Sequence, residues 1–317
     1  MIIYHLFIAG GDVVVTAKTP CPIPYQGSKR LLAPKILEWV PLITTGRLIE
    51  PFAGSAAISL AAANMKKAQK FLISDYLKPL ADIWELILQD PYRLAREYEE
   101  LWNSQLDDPK DTYNRIRDEF NEDQEPSKLL YLVVRCVKNA VRFNYEGEFN
   151  QSPDNRRLGM RPAKMRKEIL SAHHLLIGRT KVMSEDYRAV LRLVKPEDIV
   201  YMDPPYQGVS GDKNPRYIKQ LDIEVFIEEL ERLNRRDISF LISFDGKCGK
   251  RTYGQTLPSH LNLKRILLPA GRSTQATLLG RKDMTVESLY LSPALLERLK
   301  EPKGQYAEYH QTFLFNV

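Results

Sequence analysis

The tetrapeptide Asp203-Pro204-Pro205-Tyr206 directly follows an apolar run at residues 199–202. Proline has no backbone N–H, so two in succession leave mainly acceptors, namely carbonyl oxygens and the Asp203 carboxylate. A planar amino group suits these acceptors, because hydrogen bonds from both of its hydrogens hold the nitrogen more tetrahedral and free its lone pair for attack. Tyr206 supplies a face on which a base could stack. The four residues are therefore candidate catalytic residues for chemistry on an exocyclic amine.

A second candidate site is the turn at residues 50–56, Glu-Pro-Phe-Ala-Gly-Ser-Ala, which lies between a short apolar run and an alanine-rich helical segment. A glycine in such a turn lets a ligand approach the backbone closely, although turns of this kind are common in α/β proteins. Asp75 ends the next apolar run, at the spacing of about 20 residues where nucleotide-binding folds place an acid on ribose hydroxyls. The spacing favours a nucleoside-containing cofactor. The candidate binding residues of the turn are Pro51, Phe52, Ala53, Gly54 and Ser55.

A third element is residues 24–30, Pro-Tyr-Gln-Gly-Ser-Lys-Arg, followed by a helical stretch at residues 31–39. The Gly-Ser-Lys turn is similar to part of a phosphate-binding loop. The complete pattern G-x-x-x-x-G-K-[ST] is absent, which disfavours a nucleoside triphosphatase.

Short apolar runs alternate with helical segments from residue 46 onward, which predicts βα units around a mostly parallel sheet. The predicted strands are residues 47–50, 70–74, 181–184, 198–202, 238–244, 263–268 and 285–291. Roughly a hundred residues separate the second strand from the third, more than one crossover helix requires, so an inserted module is expected. At the carboxyl ends of these strands an open sheet binds its ligands, and Asp203 lies at such an end.

The predicted insert begins with helical, charged sequence at residues 91–122, continues with a helix at residues 127–141, and then has a turn-rich loop or hairpin at residues 142–150. Arg135, Lys138 and Arg142 recur at helical spacing and are expected to share one face. Six basic residues and no acidic one follow between residues 155 and 167. A single basic residue is usually just solvated, but a cluster favours a phosphate backbone as partner. The six are Arg156, Arg157, Arg161, Lys164, Arg166 and Lys167.

The chain of 317 residues carries 46 Lys and Arg against 40 Asp and Glu, with a pI near 9.0, which suits a polyanion without requiring one. Its three cysteines are far apart and odd in number, which fits a reducing cytoplasm and argues against a disulfide framework. No apolar stretch approaches membrane-spanning length, and residues 1–11 are interpreted as a tail or edge strand. His173 and His174 have no third ligand at metal spacing, so no metal site is expected.

The three motifs, in this order, resemble the D12 class of DNA adenine N6-methyltransferases, and the resemblance covers most of the chain. It implies a Rossmann-like methyltransferase sheet of residues 1–80 and 172–317, an inserted, mainly helical target-recognition domain of residues 81–171, and S-adenosylmethionine as cofactor. Tyr25 and Lys29 correspond to the motif that contacts the methionine part of the cofactor. Asp75 corresponds to the ribose-binding acid, and residues 203–206 to the catalytic tetrapeptide, whose Asp203 is also predicted to contact the cofactor.

The resemblance extends to other segments. Asp186 and Tyr187 are similar to the family's pair beside the cofactor's adenine, and residues 272–291 are similar to its terminal hairpin. The insert has the family's DNA-contact pattern at Arg135, Asn139, Arg142, Asn144 and residues 147–150, and Lys138 lies within it. Two departures are Ala56 in place of the last glycine of the turn and Tyr25 in place of tryptophan. Residues 207–219 have no apolar pattern and are either a mobile lid over the target base or an ordinary loop.

Together these features predict a cytoplasmic, prokaryotic or phage-encoded enzyme that methylates N6 of a flipped adenine in duplex DNA, as a monomer, for DNA marking or beside a restriction endonuclease. Methylation of cytosine N4 or of an RNA adenine is the nearest alternative, because the same tetrapeptide geometry serves these amines. A catalytically inactive DNA-binding protein of the same fold is a second alternative, suggested by Ala56 and Tyr25. An unrelated nucleotide-binding enzyme is a third alternative, but it would require the three motifs to occur in this order by chance.

Overall fold

The architecture is that of an α/β protein with one large sheet. A computed structural model describes residues 18–205, 221–248, 251–253, 256–272 and 284–300. The strands are β1 (Leu48–Glu50), β2 (Phe71–Ser74), β3 (Thr180–Met183), β4 (Ile199–Met202), β5 (Ser239–Cys248), β6 (Arg251–Tyr253), β7 (Lys264–Arg272) and β8 (Met284–Leu291). The helices are α1 (Ala33–Leu37), α2 (Ala57–Asn64), α3 (Lys78–Gln89), α4 (Pro91–Ser104), α5 (Pro109–Asp123), α6 (Pro126–Arg135), α7 (Pro162–Leu176), α8 (Tyr187–Arg192), α9 (Ile223–Arg235) and α10 (Pro293–Lys300).

The strand order is β3-β2-β1-β4-β5-β8-β7, with β6 paired to the end of β5. Strands β1 to β5 are parallel, whereas β8 runs antiparallel to both β5 and β7. Every residue of β1, β2 and β4 is buried, as expected for strands covered by helices on both faces. The five parallel strands and their helices confirm the predicted α/β class with a mostly parallel sheet. All seven predicted strands are present, and β6 is an additional one that the sequence pattern did not reveal.

Helices cover the two faces of the sheet through two hydrophobic clusters. One cluster contains Ile36 of α1, Ile58 of α2 and Trp84 of α3, together with Leu295 of α10. The other contains Leu191 of α8 and three buried residues of α9. Because described helices cover both faces of the sheet, the candidate chemistry is expected at the strand ends, where open α/β sheets bind their ligands.

The inserted helices are continuous with the first cluster. Leu94 of α4, Phe120 of α5 and Ile169 of α7 belong to the same group of buried residues as Trp84 under the sheet. Helix α4 packs against α3, α6 and α7. Helices α4 and α5 each begin with an aspartate that accepts a backbone N–H, and a proline follows, which is a favourable start for a helix. The predicted helical segment at residues 91–122 is therefore two separately capped helices.

The predicted helix at residues 127–141 is too long. Helix α6 ends at Arg135, and Lys138 and Asn139 have backbone φ angles of +62° and +52°. The side-chain amide of Asn139 donates to the carbonyls of Val133 and Val134, at 2.9 and 3.2 Å, and so caps the last turn. This capping ends the helix despite its helical apolar pattern. Arg135, Lys138 and Arg142 therefore do not share a helical face.

The described part of the chain has no helix with the length and apolar character needed to span a bilayer. It also has no grouping of three or more His, Cys, Asp or Glu residues suited to a metal ion. His173, one of the two adjacent histidines, has its Nδ1 2.8 Å from the carbonyl of Ile87 and so has a structural partner.

Candidate active site

The turn after β1 is held from two sides. Gly54 has φ +49°, a conformation that favours glycine, and its N–H donates to Asp75 Oδ2 at 2.9 Å. The indole N–H of the buried Trp84 donates to the Gly54 carbonyl at 2.9 Å, and Ala53 N–H donates to the carbonyl of Ser74 at 2.9 Å. The register of β1 against β2 pairs Glu50 with Ile73, so the two strand ends are adjacent. The turn is thus fixed in position before any ligand arrives.

Asp75 lies at the end of β2 and organises this edge. Asp75 Oδ1 accepts the N–H of Leu77 at 3.0 Å, and Oδ2 accepts the N–H of Gly54. Burial raises the pKa of Asp75, and the two N–H donors oppose that rise. Each carboxylate oxygen can accept more than one hydrogen bond, so the fixed carboxylate retains acceptor capacity for hydroxyl groups.

Ala56 has the left-handed conformation, with φ +44° and ψ +40°. A residue with a Cβ atom is strained there by about 1 kcal/mol. Its side chain is completely buried and belongs to the first core cluster. The methyl group that distinguishes it from glycine therefore packs into the protein interior.

The N-terminal motif packs against the same turn. The hydroxyls of Ser28 and Ser55 are 2.7 Å apart. A Cβ atom built on Gly54 would lie 3.9 Å from the ring of Tyr25. The backbone N–H of Gln26 donates to the Asn139 carbonyl at 2.9 Å, which ties this motif to the insert. The structure thus brings together two sequence motifs that lie far apart along the chain.

Lys29 lies deep in this site. Only 5% of the residue is exposed, and its ammonium group is 2.9 Å from Asp203 Oδ2 and 3.5 Å from Glu287 Oε2. It also donates to the Gly27 carbonyl at 3.3 Å. The ammonium therefore connects the N-terminal motif with the tetrapeptide at residues 203–206. We name the group of Lys29, Asp203 and Glu287 the ion triad.

Glu287 is the residue of this site that motif analysis missed. It lies on β8, opposite Gly246 of β5 and Leu268 of β7. Burial raises its pKa, Lys29 opposes the rise, and Asp203 adds to it. A charged residue in the middle of an otherwise mainly apolar strand was the available signal, because such a residue needs a partner when buried.

The rest of the tetrapeptide is only partly described. Pro204 is buried and Pro205 is half-buried at the end of β4. Tyr206 and residues 207–219, predicted as a stacking face and a lid, lie outside the described residues.

Glu50, at the end of β1, is a buried carboxyl that motif analysis placed only as part of the turn. It accepts the backbone N–H groups of Ile58 at 3.3 Å and Ser59 at 2.7 Å, at the start of α2. Burial raises the pKa of Glu50 to about 7, its hydrogen bonds oppose this, and Asp203 contributes to the rise.

We expect Glu50 to make stability depend on pH. Because its folded pKa is about 7, above the ordinary value of 4.5, its contribution is fully present below pH 4.5 and is lost as pH rises through 7. Between these pH values the wild-type free energy of unfolding should fall by roughly 3 kcal/mol relative to a Glu50→Gln variant. Urea unfolding at several pH values measures this. Glu122→Gln, at an exposed position, is the control, and parallel curves for wild type and Glu50→Gln would contradict the assignment.

Aromatic rings lie beside the turn after β1, at the same edge of the sheet. The rings of Phe52 and Tyr187 are stacked with centroids 5.0 Å apart, and Phe226 packs edge-on against both. Asp186 caps α8, and its carboxylate binds the guanidinium of Arg188 at 2.8 and 3.1 Å. The structure therefore brings the predicted pair Asp186 and Tyr187 next to the turn after β1, with the Asp186 carboxylate already engaged by a cation.

Residues 25–265 match the family model for the D12 class N6 adenine-specific DNA methyltransferases. The chain belongs to this family. Among curated relatives, it is 27% identical over 203 residues to the type II methyltransferase M.MjaIII of Methanocaldococcus jannaschii, covering 59% of this chain and 69% of that protein. It is 27% identical over 196 residues to the Retron Ec67 DNA adenine methylase of Escherichia coli, covering 59% and 63%. The DNA N-6-adenine-methyltransferase of Escherichia phage P1 is 25% identical over 237 residues, covering 70% of this chain and only 29% of that protein.

In this D12 methyltransferase, the predicted DNA-contact residues divide into interior and exposed groups. Arg135 is only 2% exposed; it donates to Gln105 Oε1 at 2.7 Å and to the Asp154 carbonyl. The amide of Asn139 caps α6, and the Asn144 amide is bonded to Glu146 and Glu148 within its own loop. In this structure the guanidinium of Arg135 is held inside the insert and supports its fold, and contact of this residue with DNA stays a prediction.

The exposed group lies around the start of α7. Arg156 and Arg157 have 77% and 73% of their side chains exposed, and both are paired to the buried Asp154. Arg161 and Lys164 are exposed on α7 or at its N-cap, and Lys138 is exposed in the turn after α6. Arg142 is half-buried in a loop closed by a bridge between residues 143 and 149. We name Arg156, Arg157, Arg161 and Lys164 the basic edge.

Replacement of Arg135 tests this division. We expect Arg135→Met to destabilise the protein by about 3 kcal/mol, because it leaves buried acceptors without their charged donor. Arg161→Met, at an exposed position, should change stability by less than about 0.5 kcal/mol. Chemical denaturation of both variants measures the contrast. Equal stabilities would refute the interior role of Arg135.

Proposed function

We propose that this chain transfers a methyl group from S-adenosylmethionine to N6 of an adenine swung out of duplex DNA. The observation that carries the proposal is the position of Asp203 at the end of β4, beside the glycine turn after β1. Strand β4 pairs directly with β1, so the Asp203 carboxylate and the turn lie at one edge of the sheet. An acceptor for an amine therefore lies next to a candidate cofactor site.

The residues present fit the cofactor by their chemistry. The fixed Asp75 carboxylate suits ribose hydroxyls, and the stacked rings of Phe52 and Tyr187 supply an apolar aromatic surface for a purine. Gly54 has no side chain, so a ligand can approach its backbone closely. When bound, S-adenosylmethionine supplies a methyl group on a positively charged sulfur.

The chain's own residues would prepare the amine for attack. Asp203 accepts one hydrogen of the amino group and the Pro204 carbonyl accepts the other, so that the lone pair of the nitrogen points out of the ring plane. The remaining rate acceleration comes from holding the reactants in line. No covalent enzyme intermediate is required, because the amine attacks the methyl group directly. The methylated amine then loses its extra proton to solvent.

DNA binding is assigned to the basic edge. Its exposed side chains at the start of α7, together with Lys138, form a positively charged surface suited to the phosphate backbone. Arg161→Met should weaken binding across DNA sequences and reduce the salt dependence by about one counterion. The names of several relatives, such as the type II methyltransferase M.MjaIII, support a place in DNA modification beside an endonuclease that need not bind this chain.

The transfer experiment tests the proposal directly. The protein is incubated with labelled S-adenosylmethionine and either duplex DNA of mixed sequence or total RNA, and the nucleosides are identified by mass. N6-methyldeoxyadenosine from DNA is the expected product. N4-methyldeoxycytidine or a methylated RNA nucleoside would keep the mechanism and change the substrate, whereas no product and no cofactor binding would favour an inactive DNA-binding protein.

We expect Asp75→Asn to weaken binding of S-adenosylmethionine by roughly 10- to 100-fold, because it removes a charged acceptor for hydroxyl groups. Isothermal titration calorimetry measures the dissociation constant. Asp90→Asn, at the exposed cap of α4, is the matched control and should bind the cofactor like wild type. Unchanged affinity of Asp75→Asn would remove Asp75 from the cofactor site.

A further inference from the structure

The ion triad has an unequal charge count. One buried ammonium group, that of Lys29, faces two carboxylates, Asp203 at 2.9 Å and Glu287 at 3.5 Å. With all three groups ionised, the triad carries a net charge of −1. Only 4% of the Lys29 side chain is exposed, against 20% for Asp203 and 23% for Glu287, so water screens these charges weakly.

A single Lys–Asp pair would serve the proposed chemistry poorly. An ammonium group bound to Asp203 alone would neutralise the carboxylate that must accept a hydrogen from the target amine. That amine gains positive charge as it is methylated, so a neutral pair would offer little stabilisation at the moment it is needed. A second carboxylate, that of Glu287, shares the positive charge of Lys29, so Asp203 is no longer fully neutralised and keeps part of its negative charge.

We infer that Glu287 is a positioning residue for methyl transfer, acting through Lys29 to keep the Asp203 carboxylate oriented and negatively charged toward the target amine. The inference rests on the proposed function. Glu287 lies on β8, in the antiparallel part of the sheet, and does not belong to any of the three sequence motifs. Its role is to draw part of the ammonium's charge away from Asp203 without touching the substrate.

The arrangement makes the rate depend on the protonation of Glu287. Burial raises the pKa of Glu287, and the charged groups that face it are Lys29 and Asp203. Glu50 lies on β1, and Asp203 contributes to the rise of its pKa to about 7, so the protonation of Glu50 is coupled to the charge of the triad. When Glu287 takes up a proton at low pH, the triad becomes neutral and wild type should behave like a variant with glutamine at this position.

The first test is single-turnover methylation by wild type and Glu287→Gln across pH. We expect Glu287→Gln to be at least about tenfold slower at neutral pH, with dissociation constants for cofactor and DNA within about twofold of wild type. The ratio of the two rates should shrink as pH falls. The same comparison in a Glu50→Gln background separates the protonation of Glu287 from that of Glu50. Two further variants serve as controls. Glu287→Asp keeps a carboxylate and should retain part of the rate. Ser288→Ala alters the next residue of β8, removes a hydroxyl bonded to Arg265, and should retain the wild-type rate.

The second test is a stability cycle that needs no substrate. Lys29→Met leaves two carboxylates facing one another, so adding Glu287→Gln should raise the melting temperature more in that background than in wild type. Additive effects would show that the triad is not coupled. If wild type is active, two results would overturn the inference. One is a rate ratio between wild type and Glu287→Gln that does not change with pH, and the other is a variant that loses affinity for cofactor or DNA and keeps its rate.

If wild type methylates no nucleic acid, the proposed function is overturned, and the inference falls with it.

Discussion

Asp203→Asn should abolish methyl transfer almost completely, by about a thousandfold or more in single-turnover rate. The substitution keeps the shape of the side chain but replaces a charged acceptor by a neutral amide, half of which is a donor. Removing one preorganised electrostatic contact to a transition state typically costs a factor of about 100 to 1000. The change also removes one of the two carboxylates that face Lys29. The ammonium of Lys29 then repels the positive charge that develops on the reacting amine.

Stability and DNA binding separate this effect from unfolding. Asp203→Asn should bind DNA with nearly wild-type affinity and should melt as a single cooperative transition. Asp203→Ala should show the same loss of activity, since it also removes the acceptor. A variant that methylated adenine at near-normal rate would show that the tetrapeptide does not hold the target amine.

Gly46→Ala is expected to prevent stable folding, with a loss of about 3 kcal/mol or more. A Cβ atom on Gly46 would overlap the carbonyl of Glu197 and would lie 2.9 Å from the backbone nitrogen of Asp198. The two chains are this close because Arg47, the next residue, donates its backbone N–H to Asp198 Oδ1 at 2.7 Å and its guanidinium to both carboxylate oxygens. Neither backbone can move away without breaking this buried contact.

A second glycine provides the comparison for Gly46. Gly178 has φ +72° and open space around its Cβ position, so Gly178→Ala should cost only about 1 kcal/mol of backbone strain. Denaturant unfolding and soluble yield measure both variants. A Gly46→Ala protein as stable as Gly178→Ala would mean that the starts of β1 and β4 are not in close contact.

The sheet and its reactive edge follow from local sequence signals. Short apolar runs ending in Asp75 or Asp203 predict strand ends, and parallel strands bring their carboxyl ends together. Pairing of β1 with both β2 and β4 confirms this consequence. Those parts of the site could be predicted because each depends on residues adjacent along the chain.

Contacts between distant residues could not be predicted in the same way. The cap that Asn139 places on α6 competes with a helical pattern that is otherwise unbroken, and only the folded structure shows which wins. Arg135 belongs to a family DNA-contact pattern, yet its burial depends on Gln105 and Asp154. Glu287 reaches Lys29 through the pairing of β8 with β5, which no local motif encodes.

The continuity of the hydrophobic core has a practical consequence for redesign. Trp84, which holds the glycine turn, belongs to the same cluster as the inserted helices, so the insert cannot be exchanged as a cassette without unsettling the turn. Grafting the corresponding inserted helices of a relative would require the buried partners of Tyr98 and Ile169 to be transferred as well. Efforts to alter how tightly DNA is bound should instead begin with exposed side chains, such as those of the basic edge, where substitutions leave the shared interior intact.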